Sequence, residues 1–329
     1  MISANNYNKG YLLSKKFRIL SLDGGGIRGL YSAQMLKNIE EKCGVDFYND
    51  FDLIIGTSTG SILAGAIVQK INLDKVISLY ENEGKNIFKK RRFCRFGLYK
   101  SKYSPEYLKE QLKSIFGNTT FKDIKKPLLI NTTDIGNSSQ FVFKTTFNNQ
   151  KDANGNKKNL VRDPDIALYD AILASSSAPI FFPPHKIGNF LLADGGLWAN
   201  SPVLVALAEA KKIFNAEPKE VIIVSIGTGV EENDYLIDTK RWGFLTGYKN
   251  SKLISMILNL QTKVNSSLLK FLMPKENILR LTFTSDKTLP LDDTTQNKNL
   301  LSRADKDFAD RNAEIQKFID IHIKDIHVK

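Results

Sequence analysis

Apolar residues fall along this chain in short β-branched runs that alternate with longer stretches of helical period. "FRILSL" (17–22), "FDLIIG" (51–56), "PLLINTTDI" (127–135), "FVFKTTF" (141–147), "NFLLAD" (189–194) and "EVIIVSIG" (220–227) predict strands. Several are apolar almost throughout, as strands covered on both faces must be. Between and after them the spacing predicts helices at about 29–43, 60–70, 73–83, 104–115, 165–175 and 201–214. Strand and helix in alternation imply an α/β fold with a mainly parallel sheet.

Two amphipathic stretches follow the last strand. "KLISMILNLQTKVNSSLLKFLM" (252–273) places Leu253, Ile257, Leu260, Val264, Leu268 and Phe271 on one helical face. The tail places Phe308, Ile315, Ile319 and Ile326 on one face of a charged helix. Ordinary amphipathicity predicts that both stripes pack on the core, dimerisation or a lid being the other uses of the first. "NNQKDANGNKK" (148–158) reads as an exposed loop, and no repeat or linker divides the chain. The expectation is one domain over 1–329, its core motifs in 17–230 and a helical and stranded extension over 231–329 packed on the same domain.

Composition narrows the picture only in part. The 329 residues are 42% hydrophobic and 25% charged, ordinary for a globular protein with a sizeable core. The formal charge of +12 points to an anionic partner: a lipid surface, nucleic acid or a phosphorylated ligand. "KNIFKKRRFCRFGLYKSK" (85–102) concentrates that charge, with eight basic residues, no acidic one and aromatics between them. Cys43 and Cys94 make no metal-ligand spacing and no disulfide framework, and Cys43 is expected to be buried. No secretory signal and no membrane-length apolar run is present, so a cytoplasmic location is expected.

Three glycine-rich motifs carry the chemistry. Gly24 to Gly29 in "DGGGIRG" has the G-x-G-x-x-G spacing of a dinucleotide fingerprint. That reading needs an acidic residue at the end of the next strand. The next strand instead runs into "GTSTG", with Asp50 and Asp52 at its wrong end, so the dinucleotide reading fails. "GTSTG" (56–60) lies between an apolar strand and the helical "SILAGAIVQK", the context of a nucleophile elbow carrying Ser58. By itself the motif also fits a plain βα turn with a polar cap. Of three histidines, His322 and His327 lie on the C-terminal helix, leaving His185 after "FFPP" as the one placed to serve Ser58. Asp194 in "LLADGGLWANSP" is the better partner, since it ends a strand where α/β sheets bind ligands and precedes a Gly195–Gly196 turn.

With these three motifs in this order, each at a strand end, the chain resembles the patatin-like phospholipases. "SSSAPIFFPP" (175–184) and "SIGTG" (225–229) also look like family segments. The resemblance implies a three-layer α/β sandwich and an ester hydrolase with a Ser–Asp dyad: Ser58 as nucleophile, Asp194 as general base. It assigns Gly24, Gly25 and Gly26, with Arg28 nearby, to an oxyanion hole, and makes Gly29, Gly56, Gly60, Gly195 and Gly196 motif glycines. Neither metal nor cofactor is expected, and Arg28 is a candidate to pair with a substrate phosphate. Bacterial members of this length resemble effector lipases of antiviral signalling that a cyclic nucleotide switches on. Segment 85–102 would then meet either membrane lipid or that regulator. Expected partners are membrane phospholipid, a cyclic-nucleotide activator and a second copy of the chain. Two rivals stand beside this reading. One is a catalytically silent lipid- or nucleotide-binding module; the other is a basic nucleic-acid binder, for which no recognised signature appears.

Overall fold

The structure, a computed structural model, describes residues 16–91, 100–145, 164–232 and 251–324. Strand β1 (Phe17–Leu22) pairs in parallel with β2 (Leu53–Thr57) and with β7 (Val221–Ile226). The parallel sheet extends to β3 (Leu128–Asp134) beyond β2 and to β9 (Ile278–Leu281) beyond β7. At the β3 end the pairing turns antiparallel: β4 (Ser139–Lys144) and β6 (Phe190–Asp194) both pair with β3, and β5 (His185–Ile187) with β6. A separate parallel pair joins β8 (Val230–Glu231) to β10 (Thr284–Ser285).

Alternate residues of the central strands feed two cores. Leu20, Leu22, Ile54, Leu128 and Ile130 turn to one face. There they meet α1 (Gly29–Cys43), α2 (Thr59–Val68), α3 (Leu73–Ile87), α4 (Glu106–Phe116), α5 (Leu168–Ser175) and α9 (Asn297–His322). Ile19, Leu53, Ile55, Leu129 and Ile223 turn to the other, under α7 (Val203–Phe214) and the C-terminal end of α8 (Ser251–Leu272). This is a three-layer sandwich with a mainly parallel sheet, and the strand faces are apolar because both are covered.

The register of β3 decides where the chemistry sits. One edge of β3 pairs with β4 over residues 129–134. Its other edge pairs first with β2, ending at Thr57 opposite Asn131, and then with β6, whose last residue, Asp194, is opposite Thr132. Strand β6 runs against β3, so its C-terminal end points at the C-terminal end of β2. Thr57 and Asp194, 137 positions apart in sequence, are thus set against consecutive residues of one strand.

The two C-terminal stripes part company. Phe308, Ile315 and Ile319 are buried in the larger core, while Ile326 lies outside the described residues. On α8 the expectation is overturned. The helix buries Ile254, Leu258, Thr262 and Leu269, and it exposes Leu260, Val264, Leu268 and Phe271 from the predicted stripe. Periodicity identifies an apolar stripe; it does not say which side the neighbour is on.

Candidate active site

Ser58 occupies the turn between β2 and α2 at φ 54°, ψ −124°, a left-handed conformation that a side chain adopts only under constraint. Three bonds supply that constraint. Its N–H donates to Ser175 Oγ (2.8 Å), and its carbonyl accepts from the Ser61 N–H (2.8 Å) and Ser61 Oγ (2.6 Å). Ser175 Oγ in turn donates to the Asn131 carbonyl at 2.6 Å, tying the elbow to β3. Gly60 allows the helix to start this close to β1, because a Cβ there would overlap the Leu22 carbonyl.

Asp194 closes β6 and faces this turn. The Ser58 side chain lies on the same cleft as its carboxylate, and the Gly196 N–H donates to Oδ1 at 2.7 Å. Burial pushes its carboxyl up to about 6, against the opposing pull of the Ser58 hydroxyl and the Gly196 N–H. The group is therefore largely ionised at neutral pH and still a far better proton acceptor than an exposed aspartate. His185, the other base considered from sequence, places Nε2 3.0 Å from Asp170 Oδ1 and does not line the cleft that holds Ser58.

The glycine turn meets the same cleft from the end of β1, but its members differ. The Gly24 N–H donates to the Asn200 carbonyl (3.0 Å), so Gly24 is not a free donor. Gly25 and Gly26 line the cleft with Ser58, Thr59 and Asp194. Gly26 and Thr59 open helical turns, and such first N–H groups have no intrahelical acceptor. Among the described residues the Gly25 N–H has no backbone acceptor either. Two side chains aim these donors from behind. Thr228 Oγ1 donates to the Gly24 carbonyl (2.7 Å) and Arg28 Nε to the Gly25 carbonyl (3.2 Å). In a trans peptide the N–H points opposite the carbonyl, so each bond turns the next N–H the other way. Gly26 has φ +58°, and a Cβ there would strike the Leu291 carbonyl.

Arg28 does not reach toward substrate as the sequence suggested. It is buried, does not line the cleft, and burial draws its guanidinium down to about 10 despite the nearby Glu231 charge. Its helical turn carries it beneath the glycines instead of past them.

Four contributors escaped sequence reasoning. Ser175 and Thr228 lie inside "SSSAPIFFPP" and "SIGTG", and their roles depend on partners distant in sequence. Asn200 lines the cleft, and its Nδ2 donates to Thr262 Oγ1 at 2.9 Å. Arg280 on β9 ion-pairs with Asp23 and donates to Ser225 Oγ (2.6 Å), holding the buried carboxylate that begins the glycine turn. Burial drives the Asp23 carboxyl upward while the Arg280 charge opposes it. The cleft is otherwise apolar, walled by Ile62, Leu79, Phe181, Phe182, Leu258 and Leu291. Segment 85–102 is described only at its ends, since 92–99 lie outside the described residues.

Residues 20–207 match the family model of the patatin-like phospholipases, a span that holds the glycine turn, Ser58 and Asp194. The chain belongs to this family. A cGAMP-activated phospholipase of Escherichia coli is 33% identical over 254 residues, covering 71% of this chain and 68% of that protein. A calcium-independent phospholipase A2-gamma of Rattus norvegicus is 30% identical over 309 residues, covering 91% of this chain but 39% of that protein. VipD from Legionella pneumophila shares the fold, with a TM-score of 0.50 and 12% identity over 94% of this chain and 67% of its own. In this patatin-like protein α8, β9 and Leu291 follow the matched span, yet they wall the cleft and hold Asp23. No helix among the described residues is long and apolar enough to cross a membrane.

Proposed function

We propose that the chain is a lipid acyl hydrolase that cleaves glycerophospholipid esters at a membrane surface through a Ser58–Asp194 dyad. One observation carries the reading: a serine on a strained elbow shares an apolar cleft with a desolvated carboxylate and with unpaired backbone N–H groups. Asp194 takes the hydroxyl proton as Ser58 Oγ attacks the ester carbonyl, and the departing lysolipid or alcohol takes that proton away. The oxyanion is met by the N–H groups of Gly25, Gly26 and Thr59, each such donor being worth about 2.7–4 kcal/mol of transition-state stabilisation. Water, deprotonated by Asp194, then releases the fatty acid and restores Ser58. The apolar lining of the cleft suits an acyl chain. Arg28 and Thr228 position the oxyanion donors. The protein works as a cytoplasmic, peripheral enzyme switched on by a cyclic nucleotide, a reading supported by the name of its Escherichia coli relative and by the basic 85–102 segment.

The test is fatty-acid release from phosphatidylethanolamine–phosphatidylglycerol vesicles by wild type, Ser58→Ala and Asp194→Asn, each with and without a panel of cyclic nucleotides. Release by wild type alone, dependent on one nucleotide, is expected. Undiminished release by Ser58→Ala would overturn the mechanism, and release indifferent to every nucleotide would remove the switch.

A further inference from the structure

Eight large apolar side chains are exposed among the described residues, and five of them lie on α8: Leu260, Val264, Leu268, Phe271 and Leu272. Phe271 is the extreme case at 87%. Together they form a stripe roughly 18 Å long, from the rise of 1.5 Å per helical residue. The opposite face of the helix is already engaged. Ile254 and Leu258 wall the cleft, Thr262 accepts from Asn200, and Leu269 packs beneath the sheet. The stripe therefore begins within one turn of the cleft wall.

Charge decides what covers it. Helix α8 contains no acidic residue, while Lys263 and Lys270 stand exposed among the apolar positions. An apolar helix face edged by cations fits an anionic bilayer, where ammonium groups meet lipid phosphates and the apolar side chains enter the acyl boundary. A two-fold contact between copies would set each lysine-bearing face against its equal, with no carboxylate on α8 to answer it. We propose that α8 is the seat of the protein on an anionic membrane surface, bringing the cleft to headgroup level; this rests on the lipid-hydrolase reading above. A lipid then enters the cleft past Leu258 without crossing open water.

The test uses the full chain and a Val264→Gln/Leu268→Gln/Phe271→Ser variant, all at exposed positions outside the dyad and cleft. Cosedimentation with phosphatidylglycerol–phosphatidylethanolamine vesicles should show affinity falling by about tenfold or more, the loss expected when the apolar face of an interfacial helix is removed. Hydrolysis of a water-soluble short-chain ester should be unchanged, and Lys263→Gln/Lys270→Gln should weaken binding to these vesicles but not to phosphatidylcholine ones. Vesicle binding equal to wild type in the triple variant would overturn the proposal. So would a wild-type dimer that the variant converts to monomer while vesicle binding persists, since the face would then belong to a second copy. If neither protein cleaves the soluble ester with any member of the cyclic-nucleotide panel present, the hydrolase reading fails, and loss of vesicle binding in the variant alone still upholds the docking face.

Discussion

Replacing Asp194 with asparagine should stabilise the protein in a way that depends on pH. Burial raises this carboxyl from its ordinary 3.8 to about 6. A group that holds its proton more tightly folded than unfolded stabilises the fold while protonated, and that stabilisation disappears as pH rises through the folded value. At 1.36 kcal/mol for each unit, about 3 kcal/mol is lost between acid and neutral pH, and about 1.4 kcal/mol of it between pH 5 and pH 8. Asparagine has no charge to bury and keeps an oxygen for the Gly196 N–H. The stability of Asp194→Asn relative to wild type should therefore grow by about 1.4 kcal/mol from pH 5 to pH 8. Urea unfolding followed by tryptophan fluorescence measures this, with Trp198, whose indole donates to the Thr132 carbonyl at 2.9 Å, as a reporter beside the site. A difference that stays flat across that range would refute the claim that folding desolvates Asp194.

The same ionisation should shape turnover: kcat/KM for a soluble ester falls about tenfold per pH unit below about 6, because only the carboxylate accepts the serine proton. An acid limb near 3.8 would show Asp194 to be solvated in the working enzyme. Thr228→Val keeps the shape but frees the Gly24 carbonyl, so kcat should drop about tenfold or more with KM unchanged, and Thr228→Ser should retain most activity. An equal loss in the serine variant would assign Thr228 to packing alone. Arg280→Met strands the buried Asp23 carboxylate and should cost about 3–5 kcal/mol in chemical denaturation, most of it recovered by adding Asp23→Asn. Wild-type stability in the single variant would mean that Asp23 folds uncharged.

Much of this architecture is local and can be read from the residues. The apolar run at 17–22 forms β1 over those same positions, and "GTSTG" places Ser58 between β2 and α2 as an elbow requires. What could not be read depends on partners distant in sequence. Whether Gly24 offers a free N–H depends on the Asn200 carbonyl, and Arg28 looks like a surface arginine until Gly25 and the buried turn are placed around it. Arg280 has no motif at all; it matters because β9 sets it beside Ser225 and Asp23. On α8 the residues at 253, 257, 260 and 264 make as good a core stripe on paper as those at 254, 258 and 262, and the neighbouring α6 (Gly196–Ala199) and α7 choose between them.

The handover along β3 makes catalysis sensitive to how the sheet was assembled. Thr57 and Asp194 are each set against β3, at Asn131 and Thr132. A β6 shifted by one residue would carry the Asp194 side chain to the opposite side of the sheet while leaving the amount of strand unchanged. Turnover per molecule thus counts correctly registered sheets, something a far-ultraviolet spectrum does not resolve. The ratio of the two, followed during refolding, is a direct measure of pairing fidelity at one strand.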